Sequence, residues 1–563
     1  MDRIWLKNYP AGVPQDVDTS AYASLADMFA QICARYRDRP AFRSMGTTLS
    51  YAEIDRGTRA FAAFLQTRCG LVKGDRLAIM MPNVLQYPIA LFGAFRAGLV
   101  VVNCNPLYTP RELEHQLQDS GARAIVVLEN FARTVQDVVG RTRVETVITT
   151  QLGDLFPPIK ARLTNLVVKY AKKMVPRWHI DGAIAFKAAL ARGKRQPLDP
   201  VPLTQADIAF LQYTGGTTGV PKGAMLTHGN MVANLQQISA WIGPEFREGA
   251  EIVVTPLPLY HVFALTANLL TFFKWGALNV LIANPRDIPG LVAELGKLRF
   301  TAITGVNTLF AALVNHPGFA RIDMHALKVA FGGGMPVQRA VAERWTAITG
   351  APLIEGYGLT EASPLVAGNA LDTQGYTGTV GLPFPSTEVS VRNEAGEELP
   401  LGDIGEICVR GPQVMKGYWN QPQETAKVLS PDGWLRTGDM GLMDATGRVK
   451  LTDRKKDMIV VSGFKVYPNE VEEVVMAHPG VLEAAVIGVP DERSGEAVTV
   501  VVVRRDPALT AEQLIAHCRL QLTGYKLPRQ VLFRDEPLPK SPVGKILRRL
   551  VRDSTHTRAE TRG

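Results

Sequence analysis

Tyr213-Thr214-Gly215-Gly216-Thr217-Thr218-Gly219-Val220-Pro221-Lys222-Gly223 is the stretch that decides how this chain folds, and it follows the apolar run Ile208-Ala209-Phe210-Leu211. Glycines let backbone N–H groups converge on an anion, while hydroxyls add donors and a lysine adds a point charge. A plain turn needs none of this, yet three threonines, four glycines and Lys222 coincide here. The segment reads as a phosphate-binding loop at the end of a buried strand. It is not a Walker loop: the Gly-Lys pairs at 193–194, 296–297 and 544–545 are followed by Arg, Leu and Ile, never by Ser or Thr. A P-loop NTPase or ordinary kinase is therefore disfavoured.

Outward from the loop, short apolar runs alternate with helical patterns. Arg76-Leu77-Ala78-Ile79-Met80-Met81 reads as a strand stopped by Pro82, and 124–128, 145–149, 252–254 and 280–282 read as further buried strands. Uniformly apolar strands between helices imply parallel sheets covered on both faces. Around 380–450 the texture changes to short strands punctuated by Gly and Pro, the pattern of a barrel-like β unit. From 453 a small α+β tail begins, with two helical patterns and the strand run Ala497–Val503. The expected class is α/β: a large body of stacked subdomains over 1–452, then a small mobile domain over 453–563.

Composition narrows the field. The chain has 563 residues, 62 Lys+Arg against 53 Asp+Glu, 46% hydrophobic and 20% charged residues. Single cores stop growing near about 250–300 residues, so several units are expected. Disorder, collagen and coiled coil are excluded. Five scattered cysteines with no CxxC pair support neither a disulfide framework nor a zinc site. The opening residues lack the apolar core of a secretory signal. Between Glu251 and Lys274 lie 22 uncharged residues, but Pro256, Pro258, His261 and Asn268 argue for a strand, a turn and a core helix rather than a membrane span. The net charge of +9 hints at an anionic partner, without the basic recognition face that nucleic acid requires.

With these residues the chain resembles the adenylate-forming superfamily, which joins carboxylates to thiols through acyl-AMP. The loop resembles its phosphate signature. Gly356-Tyr357-Gly358-Leu359-Thr360-Glu361, Arg436-Thr437-Gly438-Asp439, Asp453-Arg454-Lys455-Lys456-Asp457 and Pro539-Lys540-Ser541-Pro542-Val543-Gly544-Lys545 resemble its adenine and magnesium, ribose, hinge and catalytic-lysine motifs, in order. Leu257–Thr266, Asn284–Asp287, Gly332–Val337 and Asp432–Glu472 are similar to bacterial long-chain fatty acyl-CoA synthetases. The likeness runs from Trp5 to about Arg549. Lys465 departs from it, since bacterial relatives often carry Asn there.

The resemblance implies roles, and each has a plainer structural reading beside it. ATP would be held by Thr214, Gly215, Gly216, Thr217, Thr218, Gly219 and Lys222, with Gly333, Gly334, Tyr357, Gly358, Thr360, Asp439 and Arg454. Tyr357 would pack on adenine, although a lone buried Tyr is more often core. Asp439 would take both ribose hydroxyls or, more plainly, serve a turn after Gly438. Glu361, with Thr217, would hold Mg²⁺; its bland reading is a cap after Thr360. Lys545 would bridge carboxylate and α-phosphate oxygens, or be a tail lysine beside Arg548 and Arg549. Lys456 would be the hinge, or one solvated charge in a charged run. Gly463 and Lys465 would line the CoA entrance. His261 is either a satisfied core residue or the acyl gate.

The implied reaction is ATP-dependent acid–thiol ligation of a long-chain fatty acid to CoA, with Mg²⁺ as cofactor. Alternatives are loading of a separate carrier protein, a specialised signalling fatty acid as substrate, and a binding scaffold that has lost chemistry. Glu361 and Lys545, both present, argue against the last; only 18 residues follow Lys545, so a fused carrier domain is not expected. A cytoplasmic location is expected, with a homodimer common among similar enzymes. Leu155, Ile159, Leu163, Val167, Tyr170 and Met174 recur at helical spacing among Lys160, Arg162, Lys169, Lys172, Lys173 and Arg177. Such a helix either packs on its own domain or lies on the inner face of the cytoplasmic membrane.

Overall fold

The computed structural model describes residues 3–214, 221–491, 493–541 and 544–560. Two sheets build the large body. In the first, Thr146–Thr150, Ala124–Leu128, Arg76–Met80, Val100–Asn103 and Ile208–Thr214 run parallel in that order across the sheet. Lys222–Thr227 closes this sheet antiparallel, with Thr214 opposite Lys222, so these two strands pair as a hairpin. In the second sheet Leu353–Gly358, Val329–Gly332, Ala302–Gly305, Ile252–Thr255, Leu278–Leu281 and Pro40–Ser44 are parallel. The strands are apolar on both faces because helices cover both.

One continuous apolar cluster joins the sheets. At its centre Phe29 of helix Leu25–Arg35, Phe92 of helix Gln86–Arg96 and Phe273 of helix Thr271–Lys274 stack with centroids 4.3–5.4 Å apart. The uncharged stretch after Glu251 folds as anticipated: strand Ile252–Thr255, a turn, then buried helical residues from Ala264 to Phe273. Among the described residues no helix is long and apolar enough to cross a membrane.

The Gly- and Pro-punctuated region forms an antiparallel sheet of Glu388–Arg392, Gly405–Arg410, Leu435–Met443 and Val449–Arg454. Its ladder is open rather than barrel-closed, because no described pairing joins the first strand to the last. The last strand runs on to Arg454, and a turn at 455–457 leads into the small domain.

There Phe464–Val466, Ile459–Val461, Gly495–Arg504 and Val481–Asp491 pair antiparallel, and Gln530–Arg534 adds a parallel edge. Helices Pro468–Met476 and Ala511–Arg519 cover one face through Val471, Val475, Leu514 and Cys518. A third helix, Arg548–Glu560, packs Val551 on the other face. The sequence reading had only two helices here, because this one is short of apolar residues and starts in a basic run.

Candidate active site

Loops leaving the carboxyl ends of both parallel sheets converge on one cavity of about 620 Å³, the place where open α/β sheets bind ligands. Buried polar side chains set the loops. Asn83 donates to the carbonyls of Thr255 and Leu257 (2.9 and 2.8 Å) and accepts from the Leu259 N–H, while Tyr87 donates to the Leu259 carbonyl (2.9 Å). Gln212 donates to the Tyr260 carbonyl at 2.7 Å. The segment leading to His261 is thus pinned to the other sheet. On the far side, a Cβ on Gly358 would stand 2.3 Å from the Pro364 carbonyl oxygen, so only glycine fits where the strand hands over to Glu361.

Part of the cavity lining is apolar, formed by Ile238, Trp241, Ile242, Phe272, Phe331 and Phe384. Trp241 and Phe384 pack at 4.9 Å, and the indole N–H is satisfied by the Asn369 carbonyl. The lining also carries the cations Lys222, Lys427, Arg436, Arg454, Lys455 and Lys545 and the carboxylates Glu355, Glu361 and Glu406. Lys222 is ion-paired with Glu424, and Lys222 with Lys427 holds that carboxyl down at about 2. Burial in turn pushes Glu355 up to about 7.

Glu361 lies in the turn Thr360–Ala362, its backbone carbonyl accepting from the Met415 N–H. Its Oε1 accepts from the Tyr418 hydroxyl at 2.7 Å, and Oε2 takes no hydrogen bond from the described residues. Among those residues no cluster of three metal-ligating side chains exists. A single half-satisfied carboxylate beside a cationic pocket fits Mg²⁺, which keeps waters and substrate phosphate oxygens as its other ligands.

Lys545 reaches the cavity from the small domain. The Gly544 N–H donates to the Ser541 carbonyl (2.9 Å) and the Lys545 N–H to Ser541 Oγ (3.1 Å), with Gly544 at φ +86°. Thr308 of the body donates to the Gly544 carbonyl at 3.3 Å. Burial, then the nearby Arg454, pulls the Lys545 ammonium down to about 8, against an upward pull from Asp439. His261 lines the same space, and burial with the Lys545 charge takes it down to about 4, so the imidazole is neutral.

Of the residues singled out in the sequence, Thr214, Lys222, His261, Gly333, Gly334, Gly358, Thr360, Glu361, Arg454 and Lys545 share this cavity. Tyr357 and Asp439 adjoin that lining: the Tyr357 hydroxyl donates to Asp439 Oδ2 at 2.7 Å, and Arg454, which lines the cavity, pairs with Oδ1 at 3.0 Å. Lys456 is on the exposed turn after the last body strand, and Gly463 and Lys465 lie in an exposed hairpin of the small domain. Gly215, Gly216, Thr217, Thr218 and Gly219 lie outside the described residues, as does the Pro542-Val543 pair.

Sequence reasoning missed Tyr418, Glu424, Asn83 and Gln212. Each is tied to residues tens or hundreds of positions away, and no local pattern marks it.

Fold and cavity define a nucleotide-handling enzyme that admits a partly apolar substrate. The chain belongs to the AMP-binding enzyme family: residues 29–419 match the family so described, and 470–545 match the AMP-binding enzyme C-terminal domain. It is 56% identical over 562 residues, the whole of both chains, to a long-chain-fatty-acid–CoA ligase of Escherichia coli O6:H1. It is 57% identical to one of Yersinia pestis, covering 98% of each chain. Among solved structures, ATP-bound MatB from Rhodopseudomonas palustris is similar at a TM-score of 0.81 and 29% identity, covering 94% of this chain and 98% of that one.

Proposed function

We propose that this chain is a long-chain fatty acid–CoA ligase, converting ATP, fatty acid and CoA to acyl-CoA, AMP and diphosphate through acyl-AMP. The observation that carries the reading is one cavity lined both by aromatic and aliphatic side chains and by cations, with His261 and Lys545 close together in it. A fatty acid extended along the apolar lining presents its carboxylate to that pair. A carboxylate oxygen attacks the α-phosphorus of ATP, the bond to the bridging oxygen breaks, and diphosphate leaves. The CoA sulfur then attacks the acyl carbonyl carbon and AMP departs.

Catalysis of the first step is electrostatic, as charge-crowded phosphoryl transfer requires. Lys545 neutralises the approaching oxygens. Lys222 and the loop 214–219 cradle the phosphates, and Arg454 and Asp439 hold the ribose, with Tyr357 fixing Asp439. Neutral His261 adds no competing charge at the carboxylate. Glu361, with Thr217, would hold Mg²⁺, which supplies charge neutralisation on the phosphate oxygens. We read 453–457 as a hinge at Lys456, about which the small domain withdraws Lys545 and brings Gly463 and Lys465 to the CoA entrance. ATP–diphosphate exchange dependent on added fatty acid, followed by acyl-CoA detection, tests the assignment. Exchange independent of fatty acid defeats it.

We further infer peripheral contact with an anionic membrane. Helix Pro158–Leu166 and its continuation Val167–Ala171 pack through Ala161 and Asn165, while Leu155 before them joins the core. Ile159, Leu163, Tyr170 and Met174 remain 55–77% exposed, and no acidic residue occurs from 155 to 180. An apolar face bordered by cations and free of acids suits a headgroup layer.

A further inference from the structure

Tyr418 is built into the cavity wall with unusual firmness for a loop residue. The Lys416 N–H donates to the Met225 carbonyl, the Met225 N–H to the Gly417 carbonyl and the Trp419 N–H to the Gly223 carbonyl, at 2.8–3.0 Å. The Tyr418 N–H itself is taken by Thr425 Oγ1 at 2.9 Å. This segment therefore lies antiparallel beside Lys222–Thr227 through one bridge, Ala224 opposite Tyr418, locked to that hairpin. From that base the ring is 8% exposed, its hydroxyl donates to Glu361 Oε1 at 2.7 Å, and the ammonium of Lys222 stands over its face, 5.2 Å from the centroid. Burial and the Glu361 charge push the phenol far above its ordinary value, so it stays a donor.

We propose that Tyr418 is a positioning residue that sets the metal carboxylate and the phosphate lysine relative to each other. Its hydroxyl saturates one oxygen of Glu361 and fixes the rotamer, leaving Oε2 for a divalent cation. Its ring face gives Lys222 a resting place from which the ammonium can turn from Glu424 to an incoming triphosphate, because a cation–π contact is weaker than an ion pair to phosphate. One side chain thereby holds in register the carboxylate that would seat the divalent cation and the lysine that meets the phosphates. This inference rests on reading Glu361 as the Mg²⁺ ligand.

The test separates hydroxyl from ring. Tyr418→Phe keeps the packing and the cation–π face and removes only the donor. ATP–diphosphate exchange is titrated with Mg²⁺, and Mn²⁺ retention with the α,β-methylene analogue of ATP is followed by electron paramagnetic resonance. Residues that orient a metal ligand typically contribute about 10–100-fold in metal affinity. A rise of that size in the Mg²⁺ requirement is expected, with weaker Mn²⁺ retention and a smaller fall in the rate at saturating metal. Glu361→Asp, which draws the carboxylate away from the hydroxyl, is expected to shift both readouts the same way. Tyr418→Leu adds a raised KM for ATP through the loss of the ring under Lys222. If Glu361→Gln shifts the metal titration while Tyr418→Phe matches wild type, Tyr418 is packing alone and the proposal is overturned. If Glu361→Gln also matches wild type, the metal-ligand reading fails and takes the proposal with it.

Discussion

Nη1 of Arg548 lies 2.8 Å from Oδ1 of Asp453, and this contact ties the C-terminal helix to the last strand of the large body. Both side chains are nearly buried, at 13% and 1% exposure. The same guanidinium pairs with Glu472 at 2.7 Å, and the second Asp453 oxygen accepts from the Asn469 N–H at 2.7 Å. One arginine thus neutralises carboxylates on both sides of the turn at 455–457. Removing one partner of a buried ion pair typically costs about 3–5 kcal/mol, so Arg548→Gln is expected to lower the denaturant midpoint strongly. Burial already raises both carboxyls in the folded state, and Arg548 opposes that rise. Without it they rise further, so the folded variant binds protons that the unfolded chain does not. The deficit should therefore shrink as pH falls from neutral toward the raised values, which denaturation at several pH values reads directly.

Adenylation should lose rate as pH climbs through about 8, where the free-enzyme Lys545 gives up its proton. The limb belongs in kcat/KM for ATP–diphosphate exchange, which reports free-enzyme groups. Lys545→Arg, always protonated, should move this limb to higher pH at reduced rate. An unchanged limb in that variant assigns it to another group.

Lys545 and Gly463 should divide the two half-reactions. Losing one transition-state donor typically costs about 10²–10³-fold, so Lys545→Ala should cripple acyl-AMP formation yet still transfer supplied acyl-AMP to CoA. Gly463→Leu should do the reverse. A Cβ there meets nothing within 4 Å in this arrangement, although the φ of +86° adds some strain. Circular dichroism checks that both variants fold, and equal loss in both steps for either one defeats domain alternation.

Gly358→Ala should damage the site without touching a catalytic atom. Its Cβ would sit 2.3 Å from a backbone oxygen that cannot swing away, and such overpacking usually costs about 1–3 kcal/mol or more. Expected outcomes are a lower melting temperature and exchange activity reduced through displacement of Glu361.

Binding to anionic vesicles should depend on the exposed helix. Each cation near a charged surface contributes about 1 kcal/mol, so reversing Lys172 and Lys173 to Glu should weaken co-sedimentation and flatten its salt dependence. Leu163→Gln with Tyr170→Gln should weaken it at all salt concentrations. Co-sedimentation indifferent to both pairs places the contact elsewhere or removes it.

Much of this protein was legible in one dimension. Period and punctuation located the buried strands at 76–80, 124–128 and 252–255, because a strand covered on both faces must be apolar at every position. The loop at 213–223 reads as an anion site in one dimension because that chemistry is carried by consecutive backbone groups. Lys545 and Glu361 were found through motifs that survive as short contiguous words. By itself, then, the amino-acid order determined the α/β class and the identity of the charged groups. Only the tertiary structure decided which groups face one another. It turned the Tyr357 hydroxyl onto Asp439, set Tyr418 between Glu361 and Lys222, and left Gly463 outside the cavity that Lys545 enters. Those relations join residues 57 to 196 positions apart. Hydrogen bonds and ion pairs act over a few ångströms of space, so which of them form depends on packing between sheets and domains that no local pattern encodes.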